Sequence, residues 1–149
     1  MKSFFFFLLP FCSVLILSSC GSSALQPQES RTHSNLVHEI SILRLDSLRT
    51  LYPTALLIDV RSDEEWATGH LSQSSFISFD WDHRLDSLKR LPTDRPVLVY
   101  CEAGGRSGVI VEELRILGHP HIIDLIGGME AWQQEGRDVS FEKAIPLPH

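Results

Sequence analysis

The segment 101–108 combines a nucleophile, two adjacent glycines and a cation. It reads Cys-Glu-Ala-Gly-Gly-Arg-Ser-Gly and joins an apolar run to a helical pattern. Glycines let the backbone curl, and a curled loop entering a helix N-terminus points its N–H groups inward. These amides and Arg106 favour thiolate over thiol at Cys101, and the thiolate is the nucleophilic form. The loop predicts a reactive cysteine that attacks and then holds an anionic group; a buried structural cysteine is the alternative.

Apolar runs alternate with helical patterns along the rest of the chain. The predicted strands cover residues 39–42, 56–60, 76–77, 96–100 and 122–125. The predicted helices cover residues 44–51, 63–68, 82–88, 106–117 and 129–135. Strands that are apolar on both faces indicate a mostly parallel sheet covered by helices, an α/β fold. Ligands in such folds bind beyond the carboxyl ends of strands, where Cys101 lies.

Composition and cysteine content narrow the class of protein. The chain has 149 residues, 43% hydrophobic and 21% charged, with a formal net charge of −6. That composition is globular, and the acidic balance argues against nucleic acid as a partner. No spacing of cysteine and histidine suggests a zinc site, so no metal is expected.

The N-terminus is predicted to be a lipoprotein signal. A short positive start precedes an apolar run over residues 4–17, which is too short to span a bilayer comfortably. Leu-Ser-Ser-Cys at 17–20 resembles a bacterial lipobox, in which Cys20 is acylated. The expected organisation is a signal peptide at 1–19, a lipidated Cys20 with a flexible tether at 20–35, and a folded domain at 36–149. An ordinary cleaved signal with an incidental cysteine is the alternative.

Three motifs occur together in the order found in one known family. They are Leu-Ile-Asp-Val-Arg with the following Glu-Trp and Gly-His-Leu, then Cys-x-x-Gly-x-Arg-Ser, then Gly-Gly-x-x-x-Trp; these lie at residues 57–71, 101–107 and 127–132. From Leu36 to Gly136 the chain resembles single-domain rhodaneses. One departure is the polar stretch 72–75, where the family has a small proline-containing turn.

The resemblance implies a three-layer rhodanese-like domain with a five-stranded sheet between helices. It also implies a sulfur-transfer cycle without metal or organic cofactor. Cys101 would take sulfur from an anionic donor as a persulfide and pass it to a thiol or cyanide acceptor. The residues implied to bind the persulfide or donor are Glu102, Ala103, Gly104, Gly105, Arg106 and Ser107, with Arg106 favouring an anionic donor.

The lipid anchor would place the domain in the periplasm of a bacterial envelope, and Gly21 favours the outer membrane. The oligomeric state is left open.

Asp59 and Arg61 flank a strand end near the loop. They either shape the active site or form a buried, hydrogen-bonded structural pair, and the structural pair is the preferred interpretation. Arg61 and Glu65 have the spacing of a structural ion pair. These three residues are therefore expected to support the site rather than to react.

The other side chains that stand out in the sequence are expected to have structural rather than catalytic roles. His70 is expected to fix a turn, and Trp132 is expected to lie in the core. His119 and His121 are expected at the surface rather than as metal ligands.

Glu102 bears on the choice of donor. An acidic group beside the nucleophile repels a dianion, so thiosulfate is not expected to be the natural donor. On this hypothesis Glu102→Arg lowers the KM for thiosulfate.

Two other classes of function compete with sulfur transfer. Dual-specificity phosphatases and a related arsenate reductase share this fold, but their loop has one more residue between cysteine and arginine. The shorter loop here fits a sulfur atom better than a phosphoryl group. A rhodanese-like binding module, or a sensor in which Cys101 is reversibly oxidised, is the other alternative.

Overall fold

The computed structural model describes residues 36–147. The predicted signal peptide, Cys20 and the tether lie outside the described residues. Among residues 36–147, no helix is long and apolar enough to cross a membrane.

Strands and helices alternate, as the apolar pattern predicts. The strands are β1 (Leu36–Ser41), β2 (Leu56–Asp59), β3 (Ser75–Phe76), β4 (Val97–Tyr100) and β5 (His121–Ile126). The helices are α1 (Leu45–Leu51), α2 (Asp63–Ala67), α3 (Arg84–Lys89), α4 (Gly105–Ile116) and α5 (Gly128–Gln134), with a short 3-10 helix (Ile42–Arg44) before α1. Each corresponds to a predicted element within about three residues, which is the usual uncertainty of element boundaries.

The five strands form one sheet in the order β1-β5-β4-β2-β3, and every strand pair is parallel. The carboxyl ends of all strands therefore lie at one edge, with β4 at the centre of the sheet. The predicted α/β class with a parallel sheet is confirmed.

Each face of the sheet carries its own hydrophobic core. Along β4 the side chains alternate, so Val97 and Val99 pack toward α4 while Leu98 and Tyr100 pack toward α1 and α5. Cys101 continues this alternation and belongs to the core on the α4 side. This alternation sets the face of the sheet on which the thiol lies.

The segment after Gly136 packs against the domain. His70 and Ser140 exchange backbone hydrogen bonds of 2.7 and 2.9 Å, and the Ile145 N–H donates to the Ser74 carbonyl at 2.9 Å. Leu147 packs on the core at the α4 side of the sheet. The C-terminal segment therefore lies along residues 70–74, just before the short edge strand β3.

Candidate active site

Cys101 lies at the carboxyl end of the central strand β4, with 1% of its surface exposed. Its sulfur accepts a hydrogen bond from the Gly104 backbone N–H at 3.1 Å. A hydrogen bond from an amide to sulfur is favoured by negative charge on that sulfur. The geometry therefore suits a thiolate, or a persulfide bound at the same position.

The loop reaches this shape because Gly104 adopts φ +113°, a conformation that favours glycine. Gly104 is the N-cap of α4, so the N-terminus of a 12-residue helix faces the thiol. A helix N-terminus carries partial positive charge from its unpaired N–H groups. Ala103 and Gly105 are exposed, and a Cβ at Gly105 would enter open space. Of the predicted cradle, the Gly104 N–H is the amide that donates to the sulfur, and the role of the other loop amides stays a prediction.

The N-terminus of α5 holds the other side of the loop. The Met129 and Glu130 N–H groups donate to the carbonyls of Cys101 and Glu102 at 3.0 and 2.9 Å. Gly128 has φ +57°, and a Cβ there would collide with both carbonyl oxygens. With these carbonyls bound to α5, the amides that follow are free to face the sulfur. This contact explains why the Gly-Gly motif accompanies the cysteine loop in the sequence.

Ser107 lies beneath the nucleophile and is fully buried. Its hydroxyl donates to the Gly104 carbonyl at 3.0 Å and lies 3.7 Å from the Cys101 sulfur. The hydroxyl is therefore held in place by the loop backbone and lies within hydrogen-bonding reach of the thiol.

Arg106 is paired with Glu65 of α2. Its two terminal nitrogens each donate to a Glu65 carboxylate oxygen at 2.6 Å. Glu65 also closes a capping box with Ser62 at the start of α2. The Arg106 guanidinium lowers the pKa of Glu65 to about 2. A carboxylate thus compensates the charge of Arg106, and the role of Arg106 in favouring an anionic donor stays a prediction.

The charge of Arg61 is also compensated by carboxylates, and its side chain is almost completely buried. It donates to Asp59 through its backbone N–H and through Nε and Nη2, at 2.8–3.1 Å. Nη2 also donates to the Gly69 carbonyl at 2.7 Å, and Nη1 to Glu102 at 3.3 Å. The predicted buried pair with Asp59 is present. The predicted pair with Glu65 is wrong, because Glu65 binds Arg106 and Arg61 lies before the helix begins.

The other side chains discussed in the sequence analysis lie in the core or pack against neighbouring side chains. Trp132 is buried in the core, as predicted. His70 stacks on Trp66, with ring centroids 3.5 Å apart, and its backbone pairs with Ser140, so its role in a turn agrees with the contacts. His119 is 2% exposed, so its expected surface position is wrong. Burial lowers its pKa.

Two residues near the site are not indicated by the sequence motifs. The Tyr100 hydroxyl accepts a hydrogen bond from the Leu71 N–H at 3.1 Å and lies 3.3 Å from the Ser74 hydroxyl. Burial raises the pKa of Tyr100, so the hydroxyl stays protonated. Asp124 lies in β5 with 6% exposure, on the face of Cys101. The feature of the sequence that could have indicated Asp124 is the presence of a carboxylate within the otherwise apolar run Ile-Ile-Asp-Leu.

Comparison with known proteins agrees with this geometry. Residues 44–135 match the family model of the rhodanese-like domain. A probable adenylyltransferase/sulfurtransferase MoeZ of Mycobacterium tuberculosis is 33% identical over 91 residues, which cover 61% of this chain but only 22% of that protein. A protein named sulfurtransferase from Allochromatium vinosum is 28% identical over 102 residues, 68% of this chain and 92% of that protein.

A solved structure extends the likeness to three dimensions. The crystal structure of a rhodanese-related protein from Thermoplasma volcanium has a TM-score of 0.61 and 30% identity, covering 70% of this chain and 99% of that one. The family match extends from the end of the 3-10 helix to α5 and contains the whole cysteine loop. The chain therefore belongs to the family of rhodanese-like domains and carries a sulfurtransferase-type domain.

Proposed function

We propose that the protein is a sulfurtransferase that carries sulfane sulfur as a persulfide on Cys101. The Cys101 thiolate attacks the outer sulfur of a donor R–S–S⁻, the donor S–S bond breaks, and R–S⁻ leaves with the electron pair. An acceptor thiolate or cyanide then attacks the terminal sulfur, and the Cys101 thiolate is regenerated. The observation that carries the proposal is the hydrogen bond of 3.1 Å from the Gly104 N–H to the Cys101 sulfur, at the N-terminus of α4.

The charges around the loop favour a donor with one negative charge. Arg106 is bound by Glu65, and Arg61 by Asp59 and Glu102. Three carboxylates therefore accompany two guanidinium groups near the thiol. Thiosulfate carries two negative charges and meets this acidic balance at a disadvantage. We therefore infer that a persulfide or a related low-charge sulfane donor is the physiological class.

The test is the mass of the full chain in detergent after incubation with a small alkyl persulfide or with thiosulfate. A gain of one sulfur atom that is absent in Cys101→Ser and is lost on adding cyanide or a thiol supports the proposal. No gain with either donor contradicts it and favours the binding or redox-sensing module. A gain that persists in Cys101→Ser also contradicts it, because the sulfur is then on another residue.

We further propose that acylated Cys20 anchors the protein to a bacterial envelope membrane, with the domain facing the periplasm and the outer membrane favoured. The support is the Leu-Ser-Ser-Cys segment at 17–20 after the apolar run. Metabolic labelling with a fatty acid tests this. Label in the wild type and none in Cys20→Ala is the expected result, and equal labelling of both contradicts the anchor.

A further inference from the structure

A groove of about 300 Å³ lies beside the edge strand β3. It is lined by the aromatic side chains of Phe76 and Trp81, by residues 144–147 of the C-terminal segment, and by Ser87 and Arg90 of α3 and its C-terminal cap. None of the described residues that line it belongs to the cysteine loop, so the sulfur-transfer cycle above does not use it. Its volume is at the lower end of the range for sites that bind small organic molecules.

The aromatic side chains of the groove are held in position but are not fully covered. The rings of Phe76 and Trp81 meet edge to face with centroids 5.4 Å apart, and His83 stacks on Trp81 at 5.1 Å. The Trp81 Nε1–H donates to the Asp63 carboxylate at 3.2 Å, so the polar atom of the indole already has a partner. Phe76 and Trp81 remain partly exposed. Their rings therefore offer an apolar surface against which the aromatic ring of a ligand can pack.

Arg90 gives the groove a positive charge that the chain does not compensate. Its Nη2 donates to the Ser87 hydroxyl at 3.5 Å, and no carboxylate of residues 36–147 forms an ion pair with its guanidinium. Arg61 and Arg106 differ in this respect, because each is bound by a carboxylate. None of the described residues that line the groove is acidic. On a chain whose net charge is −6, the groove is thus locally basic, and the complementary ligand is an anion.

We propose that this groove binds a small aromatic carboxylate. The guanidinium of Arg90 holds the carboxylate group, because the planar fork of arginine matches the two carboxylate oxygens. The ring of the ligand packs against Phe76, Trp81 and Pro146. The small volume of the groove favours a compact ring over a long acyl chain. Binding is non-covalent and requires no metal or further reactant. This ligand site is separate from Cys101 and goes beyond the proposed function.

The C-terminal segment is the wall of the groove that a ligand would hold in place. The Ile145 N–H donates to the Ser74 carbonyl at 2.9 Å, and Leu147 packs on the core. This wall lies outside residues 44–135, which the family model matches. A ligand that contacts both Arg90 and this segment stabilises the bound arrangement, so it should slow local opening of the segment.

The experiment is a calorimetric titration of the full chain in a nonionic detergent with 2-naphthoate, after subtraction of a detergent blank. The uncharged analogue 2-naphthalenemethanol has the same ring system and is the matched probe. We expect saturable binding of 2-naphthoate, and binding of the alcohol that is weaker by about tenfold or more, because the alcohol cannot make charge-assisted hydrogen bonds. No saturable binding of 2-naphthoate, or equal affinity for the two probes, overturns the proposal.

Arg90→Met and Lys89→Met form a matched pair of variants. Both side chains are exposed, but Lys89 is bound to Asp86 and does not line the groove. We expect Arg90→Met to weaken the binding of 2-naphthoate by about tenfold, and Lys89→Met and Cys101→Ser to leave it unchanged. An unchanged affinity in Arg90→Met, or an equal loss in either of the other two variants, overturns the proposal.

Light scattering on the same variants distinguishes another occupant of the groove. If Arg90→Met alters the oligomeric state and leaves the affinity for 2-naphthoate unchanged, a second copy of the chain occupies the groove and the proposal is wrong. We expect the same oligomeric state in the wild type, Arg90→Met and Lys89→Met.

Hydrogen exchange gives a further readout that needs no substitution. Saturating 2-naphthoate should slow the exchange of the Ile145 amide, because its hydrogen bond to Ser74 holds the C-terminal wall. The Met129 amide, which donates to the Cys101 carbonyl, is the internal control and should be affected less. No protection at Ile145, or greater protection at Met129, overturns the proposal. None of these measurements uses a sulfur donor, so failure of sulfur transfer leaves all of them interpretable.

Discussion

Arg106 of the cysteine loop and Glu65 of α2 face each other through two parallel hydrogen bonds of 2.6 Å. The same glutamate closes the capping box at the start of α2, so the cation of the loop is attached to the first turn of another helix. Bidentate pairing of this kind fixes orientation as well as charge. The pair is therefore expected to contribute both to stability and to donor choice.

Glu65→Gln is expected to reduce the acid sensitivity of folding. The pKa of Glu65 is lowered from 4.5 to about 2, so its stabilising contribution is present above about pH 4.5 and is lost as the pH falls toward 2. Allowing for partial exposure, the wild type should lose about 1–2 kcal/mol more than the variant over this range. Urea unfolding at several pH values measures the difference. Glu135→Gln, at an exposed glutamate just after α5, should retain the wild-type dependence, and equal losses in all three proteins would contradict the assignment.

Glu102→Gln is expected to improve the use of thiosulfate. Removing this charge leaves the buried Arg61 paired with Asp59 alone and lowers the repulsion of a dianion. We expect the KM for thiosulfate to fall by roughly threefold to tenfold, corresponding to about 0.7–1.4 kcal/mol, with a smaller change for an alkyl persulfide. Steady-state kinetics with both donors measures this, with exposed Glu130→Gln as the control. An unchanged or raised KM for thiosulfate would argue against charge as the basis of donor choice.

Gly128→Ala is expected to damage the cysteine loop. The new Cβ would collide with the carbonyl oxygens of Cys101 and Glu102, which are backbone atoms that cannot move aside without moving the loop. Gly118→Ala is the matched control, because Gly118 also has positive φ but has open space around its Cβ position. We expect Gly118→Ala to cost about 1 kcal/mol with persulfide formation intact.

Gly128→Ala should cost more than this control and should abolish most persulfide formation. Thermal unfolding and the sulfur-loading assay measure the two effects. Equal stability and equal loading in the two variants would show that the α5 contact does not shape the loop.

Arg61→Met is expected to destabilise the fold by about 3–5 kcal/mol, because it leaves the buried Asp59 carboxylate without its cation. Asp59→Asn together with Arg61→Met removes both charges. The double variant should be less destabilised than the sum of the two single variants, as expected for residues in direct contact. A denaturant-based double-mutant cycle measures the coupling. Strict additivity would mean that the pair does not act as a unit.

The alternating elements could be predicted because their signals are local. Apolar runs at β2 and β4 and the helical spacing over α4 lie within short windows of sequence. The edge strand β1 was harder to delimit, because most of its side chains are exposed and its extent is set by pairing with β5. Ile42, predicted in that strand, instead starts the 3-10 helix, where its side chain enters the core.

The identities of the ion-pair partners could not be predicted from spacing. Arg61 and Glu65 are four residues apart, but that spacing favours contact only within a helix, and α2 begins at Asp63. The actual partner of Glu65 is Arg106, 41 residues away. The position of Asp124 on the same face of the sheet as Cys101 likewise depends on β5 lying beside β4, which is a property of the sheet order.

The pairing of β1 with β5 has a consequence for how the chain acquires its structure. Leu36 pairs with His121, so the first strand of the described domain has no strand partner until most of the domain has been made. Contacts between such distant segments carry a large entropic cost before they give any stability, and they slow folding. A nascent chain that ends before β5 also lacks the strand that joins β1 to β4. Completion of the sheet is therefore a late event in biosynthesis, and truncation before residue 121 should leave a chain that cannot assemble the cysteine loop.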